Sequence, residues 1–255
     1  MQVSRPTTIS LTPRQPISLA SSPAAPLHPV VERCYARFAA IFPQLATDEK
    51  QMSLAIQSRG IRLLGITGPK RHGKDTVAQA IAEHCRGAIR MGMIDPVKEI
   101  VMTETGCPRS SLYGSETERT EERFEFSDRG HSISGRHLLQ WLGTEAIRQR
   151  LGADAILRVW RGRVLEAPDA ALILIPDVRF DNEAEEIIRN HGAVISMHRE
   201  GAAPSRDHHA SEQPIRPDLI MRSFTCSSAH EVRSVGRGLG SLLSQRPIST
   251  LVHAA

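Results

Sequence analysis

Ile61-Arg62-Leu63-Leu64-Gly65-Ile66-Thr67-Gly68-Pro69-Lys70-Arg71-His72-Gly73-Lys74-Asp75-Thr76 is the stretch from which the rest of the chain is read. Its first seven residues make an apolar run of strand length, and the next seven carry Gly68, Gly73 and Lys74 in Gly-x-x-x-x-Gly-Lys spacing. A helical pattern follows from about Lys74 to Cys85. A loop between strand and helix with this spacing is a phosphate cradle. Glycines permit the tight wrap, successive backbone N–H groups face inward, and the helix N-terminus adds positive potential. Lys74 is placed to reach the β- and γ-phosphates of a nucleoside triphosphate. Such loops commonly follow the lysine with a Ser or Thr on magnesium; here Asp75 stands there and the hydroxyl comes one place later, at Thr76. Both are metal candidates, Asp75 directly or through water, and Thr76 can also meet the α-phosphate. Lys70 and Arg71 put two further cations where charge spreads over a transferred phosphoryl group, which suits a transferase holding two anions.

Outward from this loop, buried strands alternate with helices. A strand is expected over 88–93 and a helix from Asp95-Pro96 to Thr105, with helices over 134–150 and 153–165. The most apolar strand, 171–175, ends in Pro176-Asp177; a helix over 182–190, strands over 193–197 and 218–221 and a last helix over 230–243 complete the pattern. This alternation predicts an α/β fold, a parallel sheet covered by helices on both faces. Residues 107–133 are polar, with six acids and three arginines between Glu116 and Arg129, and read as a lid-like insertion. Arg119 and Arg123 within it read as salt-bridge partners of those acids. The main domain, built around this loop, is expected over 59–246, with a C-terminal tail over 247–255. Before it, 1–30 hold six Pro and eight Ser or Thr and read as a disordered tail, and 31–58 as a helical appendage whose first helix ends at Pro43.

Composition excludes several classes. No stretch approaches the roughly 18 apolar residues of a membrane span. The net charge of +4 includes Arg5 and Arg14 of the acid-free leading segment, so the remainder is too weakly basic to grip duplex DNA, and stable nucleic-acid binding is not expected. Cys34, Cys85, Cys107 and Cys226 show no metal-ligand spacing and fit reduced thiols in a cytoplasm.

Three further motifs join the loop: Gly135-Arg136-His137-Leu138-Leu139-Gln140-Trp141-Leu142-Gly143-Thr144-Glu145, Ile175-Pro176-Asp177-Val178-Arg179-Phe180-Asp181-Asn182-Glu183 and Asp207-His208-His209-Ala210-Ser211-Glu212. In this order the four resemble the phage-type deoxynucleoside monophosphate kinases, over roughly Ile61 to Leu243, and the loop with Asp after the lysine is itself a variant of that family. The resemblance implies a P-loop, nucleoside monophosphate kinase-like fold and the ATP- and Mg²⁺-dependent phosphorylation of a deoxynucleoside monophosphate, with a homodimer as the candidate assembly. ATP is then expected on Gly68, Arg71, Gly73, Lys74, Asp75, Thr76 and Arg199. The acceptor is expected on Lys70, Arg136, Gln140, Gly143, Thr144, Asp177, Arg179 and Glu183, and the chemistry on Lys74, Lys70, Arg71, Asp177 and Arg179. The residues agree with such roles. Arg136 and Gln140 share a helix face, a helix break at Gly143-Thr144 would offer backbone donors, and Asp177 ends the most buried strand, where open α/β sheets bind ligands. Arg199 and His209-x-Ser211-Glu212 read as the rim of a lid or its hinge. The chain departs from the family at Ile156, where an aromatic is usual (Trp160 stands one turn on), and at Met221-Arg222-Ser223, in place of an Asn-containing turn. Rival readings are a dephospho-coenzyme A or phosphomevalonate kinase relative, and a nucleotide-binding module without catalysis.

Overall fold

The computed structural model describes residues 28–252 except 115, 122, 127–130 and 203–208. The tail expected over 1–30 therefore lies almost wholly outside the described residues. Helix α1 (Pro29–Leu45) starts where the His28 ring accepts from the Val30 N–H, and α2 (Glu49–Arg59) where the Asp48 carboxylate caps Gln51. Pro43 does not stop α1. The helix runs two residues past it, because one missing N–H near a C-terminus removes little. Strand β1 (Arg62–Thr67) leads through the phosphate loop into α3 (Lys74–His84), then β2 (Ala88–Arg90), shorter than expected, and α4 (Asp95–Thr105).

The segment 107–133 carries more structure than its polar composition suggests. It holds short helices α5 (Ser110–Tyr113) and α6 (Glu116–Glu121) and an antiparallel hairpin of β3 (Arg123–Phe126) with β4 (His131–Ser134). Next come α7 (Gly135–Gln140), a π-helical stretch (Trp141–Arg148), α8 (Gln149–Leu151) and α9 (Ala155–Leu165). The break expected at Gly143-Thr144 is thus a widened turn within continuous helix. Strand β5 (Leu172–Ile175), α10 (Asp181–Arg189) and β6 (Ala193–Arg199) follow. The strand expected over 218–221 is corrected: Pro217–Leu219 is a 3₁₀ turn, ladder pairing begins with the Met221 N–H on the Val194 carbonyl, and β7 is Arg222–Cys226. Helix α11 (Ala229–Gln245) and a 3₁₀ turn (Ile248–Val252) end the described chain.

All five main-sheet strands are parallel, in the order β2-β5-β1-β6-β7. The chain leaves β1 toward β2 on one side, and later passes from β5 across to β6 on the other. The carboxyl end of β1 is therefore the switch point of the sheet, where such folds open a ligand crevice. Alternation along the strands divides the core. Leu64 and Ile66 of β1, with Leu172 and Leu174 of β5, pack against Val77 and Ile81 of α3 and Leu239 and Leu243 of α11. Leu63, Ile173 and Ile175 face the other way, onto Met52, Trp160, Val164 and Ile187. A third, mainly helical layer joins Val31, Cys34 and Phe38 of α1 to Val97, Leu138, Leu142 and Ile156. Gly236 lets α11 approach α3 closely, since a Cβ there would lie 2.6 Å from the Ala80 Cβ.

One buried ion pair staples α9 to α10. Both carboxylate oxygens of Glu186, 1% exposed, accept from Arg161 at 2.8 Å. Removing Glu186 leaves the buried Arg161 with only the more distant Glu49 (3.7 Å), so Glu186→Ala should destabilise the fold by up to about 3–5 kcal/mol, while an apolar pair at 161 and 186 should recover most of that loss. Urea unfolding of the two variants checks both expectations.

Candidate active site

Backbone geometry shapes the phosphate loop first. Gly68 (φ 128°) and Gly73 (φ 90°) occupy the left-handed region, and a Cβ on Gly68 would lie 2.3 Å from the Met197 carbonyl oxygen of β6. Arg71 also has positive φ (66°), a strained conformation for a residue with a side chain. The His72 ring accepts at Nδ1 from the Arg199 N–H (3.0 Å), tying the loop to the end of β6. Burial, then His198, Lys74 and Arg199, push His72 below the ordinary histidine range, which keeps that nitrogen an acceptor. Lys74 is only 6% exposed and folds across its own loop, donating from Nζ to the carbonyls of Gly68 (2.6 Å) and Pro69 (2.7 Å).

A cleft of about 1040 Å³ opens over this loop, lined by Lys70, Arg71, Gly73, Lys74, Asp75, Thr76, Arg90, Asp95 and Arg199 among others. Beside it lies a smaller chamber of about 160 Å³, with an apolar wall of Met93, Ile94, Leu139, Ile156 and Phe180 and polar groups on Gln140, Thr144 and Ser211. Lys98, Leu112, Arg119, Arg136, Asp177 and Arg179 line both and form the boundary between them. Of the residues singled out in the sequence, the loop side chains and Arg199 face the large cleft, Gln140, Gly143, Thr144 and Glu183 face the small chamber, and Arg136, Asp177 and Arg179 face both. Gly68 sits behind the loop and contributes its carbonyl to Lys74. Asp207 and His208 of the fourth motif, and the Arg123 side chain, lie outside the described residues.

The π-helical stretch shapes the chamber. Its wide turn brings Gly143 close to Ile94, where a Cβ would stand 3.3 Å from the isoleucine Cδ1. Ile156, at the position where the resembled family carries an aromatic, lines the chamber, whereas Trp160 is wholly buried in the core behind it. Glu183 is fully occupied. It accepts from the N–H groups of Arg179 (2.7 Å) and Phe180 (3.2 Å) and from the Arg148 guanidinium, whose plane lies 3.9 Å over the Phe180 ring. Glu183 thereby holds the turn that presents Arg179 and Phe180.

Carboxylates balance the cations on the boundary. Asp177 accepts from the Met93 N–H (3.0 Å) and the Ile94 N–H (3.3 Å), and burial, then the neighbouring Asp95, push its carboxyl up. Asp95 accepts from the Gly92 N–H (2.7 Å) and from Lys98 Nζ (3.0 Å). Gly92 is needed here, since a Cβ would lie 2.7 Å from an Asp177 oxygen and 3.0 Å from one of Asp95. Tyr113 of α5 lies between Lys98 (4.2 Å) and Arg109 (4.1 Å), docking the 107–133 segment on α4. Reading the sequence missed Lys98, Asp95 and the place of Arg119; the signal for the first two was the Asp-x-x-Lys spacing that opens α4. Glu212, expected on a lid rim, instead lies inside. Its two oxygens meet Arg136 (2.7 Å) and Arg179 (3.4 Å). At the loop, Thr76 offers a hydroxyl and Asp75 a carboxylate paired with Arg90 (2.8 Å), hard oxygen donors of the kind a divalent cation takes alongside phosphate oxygens. Among the described residues no group of three or more His, Cys, Asp or Glu side chains could hold a metal ion by itself, and no helix is long and apolar enough to cross a membrane.

A phosphate loop at the switch point of a parallel sheet, opening onto a second cation-lined chamber, defines the class: a P-loop nucleotide kinase. No model of a known protein family matches the chain. A protein of Acanthamoeba polyphaga mimivirus named "Putative deoxynucleotide monophosphate kinase" is 30% identical over 166 residues, which cover 60% of this chain and 82% of the relative. The chain belongs to that family, the deoxynucleotide monophosphate kinases.

Burial, first, and then the charge of Arg179 push the Lys74 ammonium from 10.5 down to about 7. An anion on the loop favours the charged form, so polyphosphate binding takes up a proton above pH 7, and affinity should fall by up to about tenfold per pH unit between roughly pH 7 and 10. Fold stability should change in the opposite sense over that window. The unfolded lysine keeps a proton that the folded one has lost, so stability rises with pH. Calorimetric titration of tripolyphosphate in two buffers of different ionisation enthalpy should show the uptake; equal apparent enthalpies would contradict it.

Proposed function

We propose that the protein transfers the γ-phosphoryl group of ATP to a deoxynucleoside monophosphate, forming the diphosphate and ADP. The observation that carries this reading is the shared boundary. Lys98, Arg119, Arg136, Asp177 and Arg179 line both the cleft over the phosphate loop and the smaller apolar chamber, so two anionic ligands would meet there end to end. The mimivirus relative's name supports the acceptor class.

In this reading the polyphosphate of ATP lies on Gly73 and the α3 N-terminus, with Lys74, Lys70 and Arg71 against the transferred group and Arg199 beside the nucleotide. The acceptor's base enters the chamber against Ile94, Leu139, Ile156 and Phe180, with Gln140 and Thr144 at its polar edges, and its phosphate meets Arg136, Arg179 and Lys98. Asp177 keeps the turn at 92–94 in place and faces the sugar. The bond between the γ-phosphorus and the β–γ bridging oxygen breaks as an acceptor phosphate oxygen forms its own bond to that phosphorus, in line, and ADP leaves. A general base is unnecessary, because the acceptor oxygen is already anionic. Catalysis is then positioning and charge stabilisation by cations that need not reorganise. Magnesium, held by Thr76 and Asp75 with the phosphates, would supply charge neutralisation between the β- and γ-groups. Four buried, unbridged cysteines support a reducing compartment such as the cytoplasm.

The direct test incubates the protein with ATP, magnesium and each deoxynucleoside monophosphate in turn and separates the products by chromatography. Diphosphate should form with at least one acceptor, and Lys74→Ala should lower turnover about a hundredfold or more. Dephospho-coenzyme A or phosphomevalonate as the sole productive acceptor would replace this reading with another small-molecule kinase. ATP binding without any transfer would leave a nucleotide-binding module.

A further inference from the structure

Glu212 does something that the transfer chemistry does not by itself require. Its side chain is 5% exposed, yet it projects from a three-residue 3₁₀ turn (Ala210–Glu212) rather than from a long element. Oε1 accepts from Arg136 at 2.7 Å and Oε2 from Arg179 at 3.4 Å. The two arginines come from separate parts of the fold, α7 and the turn between β5 and α10. Glu212 lines the small chamber and not the large cleft, so it approaches the arginines from the acceptor side. The turn that carries it is itself fixed. The His209 ring accepts at Nδ1 from the Ser211 N–H (3.2 Å), the Glu212 N–H donates to the His209 carbonyl (2.9 Å), and the His209 ring lies 3.5 Å from Glu145 of the π-helical stretch.

Two guanidinium groups that share a boundary repel each other. Each carries five donors in a rigid fork, more than a single carboxylate can engage, so one carboxylate can hold an edge of both at once. A buried carboxylate does this without the entropy that a mobile counterion would lose. The same charge reaches the phosphate loop, where Arg179 disfavours the Lys74 ammonium and Glu212 favours it.

We propose that Glu212 is a positioning residue for the acceptor phosphate: it holds Arg136 and Arg179 in register, so that both guanidinium groups face one phosphoryl group. The proposal rests on the kinase reading above. It differs from two simpler roles that the same contacts allow. A structural staple would affect folding and leave the kinetics of the folded protein alone. A competing anion that the acceptor must displace would weaken substrate binding, so its removal would tighten it.

The experiment is steady-state kinetics on the full chain, with ATP and the best deoxynucleoside monophosphate each varied in turn. Diphosphate formation by the unmodified protein is established first; if it forms none, the kinase reading fails and this proposal, which rests on it, falls with it, whereas the Glu212 variants test the proposal alone. In Glu212→Gln the acceptor KM should rise about tenfold or more, while the ATP KM stays within about twofold. Glu212→Asp, which keeps the charge, should recover part of the loss. In an Arg136→Ala background the further substitution Glu212→Gln should add less than about threefold, because a residue acting through Arg136 has little left to act on. Full additivity of the two changes, an unchanged or lowered acceptor KM, or an equal rise in both KM values would overturn the proposal. Should Glu212→Gln not fold, Glu212→Asp decides alone: a rise confined to the acceptor KM supports positioning, and an unchanged KM refutes it.

Discussion

Cations cannot be gathered at one point inside a fold unless carboxylates are gathered with them. The boundary between the two chambers brings together Lys98, Arg136 and Arg179, with Lys74 close enough to feel Arg179. Without compensation, burial would cost several kcal/mol per ion. The fold compensates with Asp95 on Lys98, Glu212 on both arginines, and Glu183 on the backbone that presents Arg179. Asp95 lines the large cleft and Glu183 and Glu212 line the chamber, so each carboxylate sits at the edge of the same space as the cations it holds. The preorganised charge that a phosphoryl transfer needs is therefore already in place, because the dipoles and ions are fixed by folding.

The scaffold follows from that requirement. The parallel sheet puts the carboxyl ends of β1 and β5 side by side, with β1 supplying the phosphate loop and β5 supplying Asp177 and Arg179. Helix α7 and the π-helical stretch after it supply Arg136, Gln140 and Gly143 from the third, mainly helical layer, which α1 completes through Val31, Cys34 and Phe38. A π-helical turn is rare within ordinary helix and is frequent at functional sites. Here it widens the wall of the small chamber where Gly143 passes Ile94.

Elements whose signal is local were legible in the amino-acid order. The apolar runs of β1 and β5, the Gly68-to-Lys74 spacing and the Asp95-Pro96 start of α4 each carry their own physical cause, and the parallel α/β fold followed from the alternation of strands and helices. Elements whose cause is tertiary were not. Strand β7, Arg-Ser-Phe-Thr-Cys, is an edge strand with a single neighbour, so its half-polar pattern hid it and drew the expectation onto 218–221. The β3–β4 hairpin lies in a charged stretch with few apolar residues. A π-helical stretch of eight residues does not separate its period from 3.6 in a hydrophobic pattern. Lys98 was hidden behind a helix-start reading of Asp95-Pro96. Glu212 acquires its role only where residues 136, 179 and 212, far apart in sequence, come together.

The central claim is that two anionic ligands occupy the cleft and the chamber at once, joined at the arginine boundary. An adenosine linked 5′ to 5′ with a deoxynucleoside through five phosphates spans both, and its affinity can be read by calorimetry against that of ATP. If the claim holds, the linked compound binds at least about a hundredfold more tightly than ATP, because a single molecule then makes both sets of contacts. Affinity no greater than that of ATP, for every base tried, would mean that the chamber is not an extension of the phosphate site.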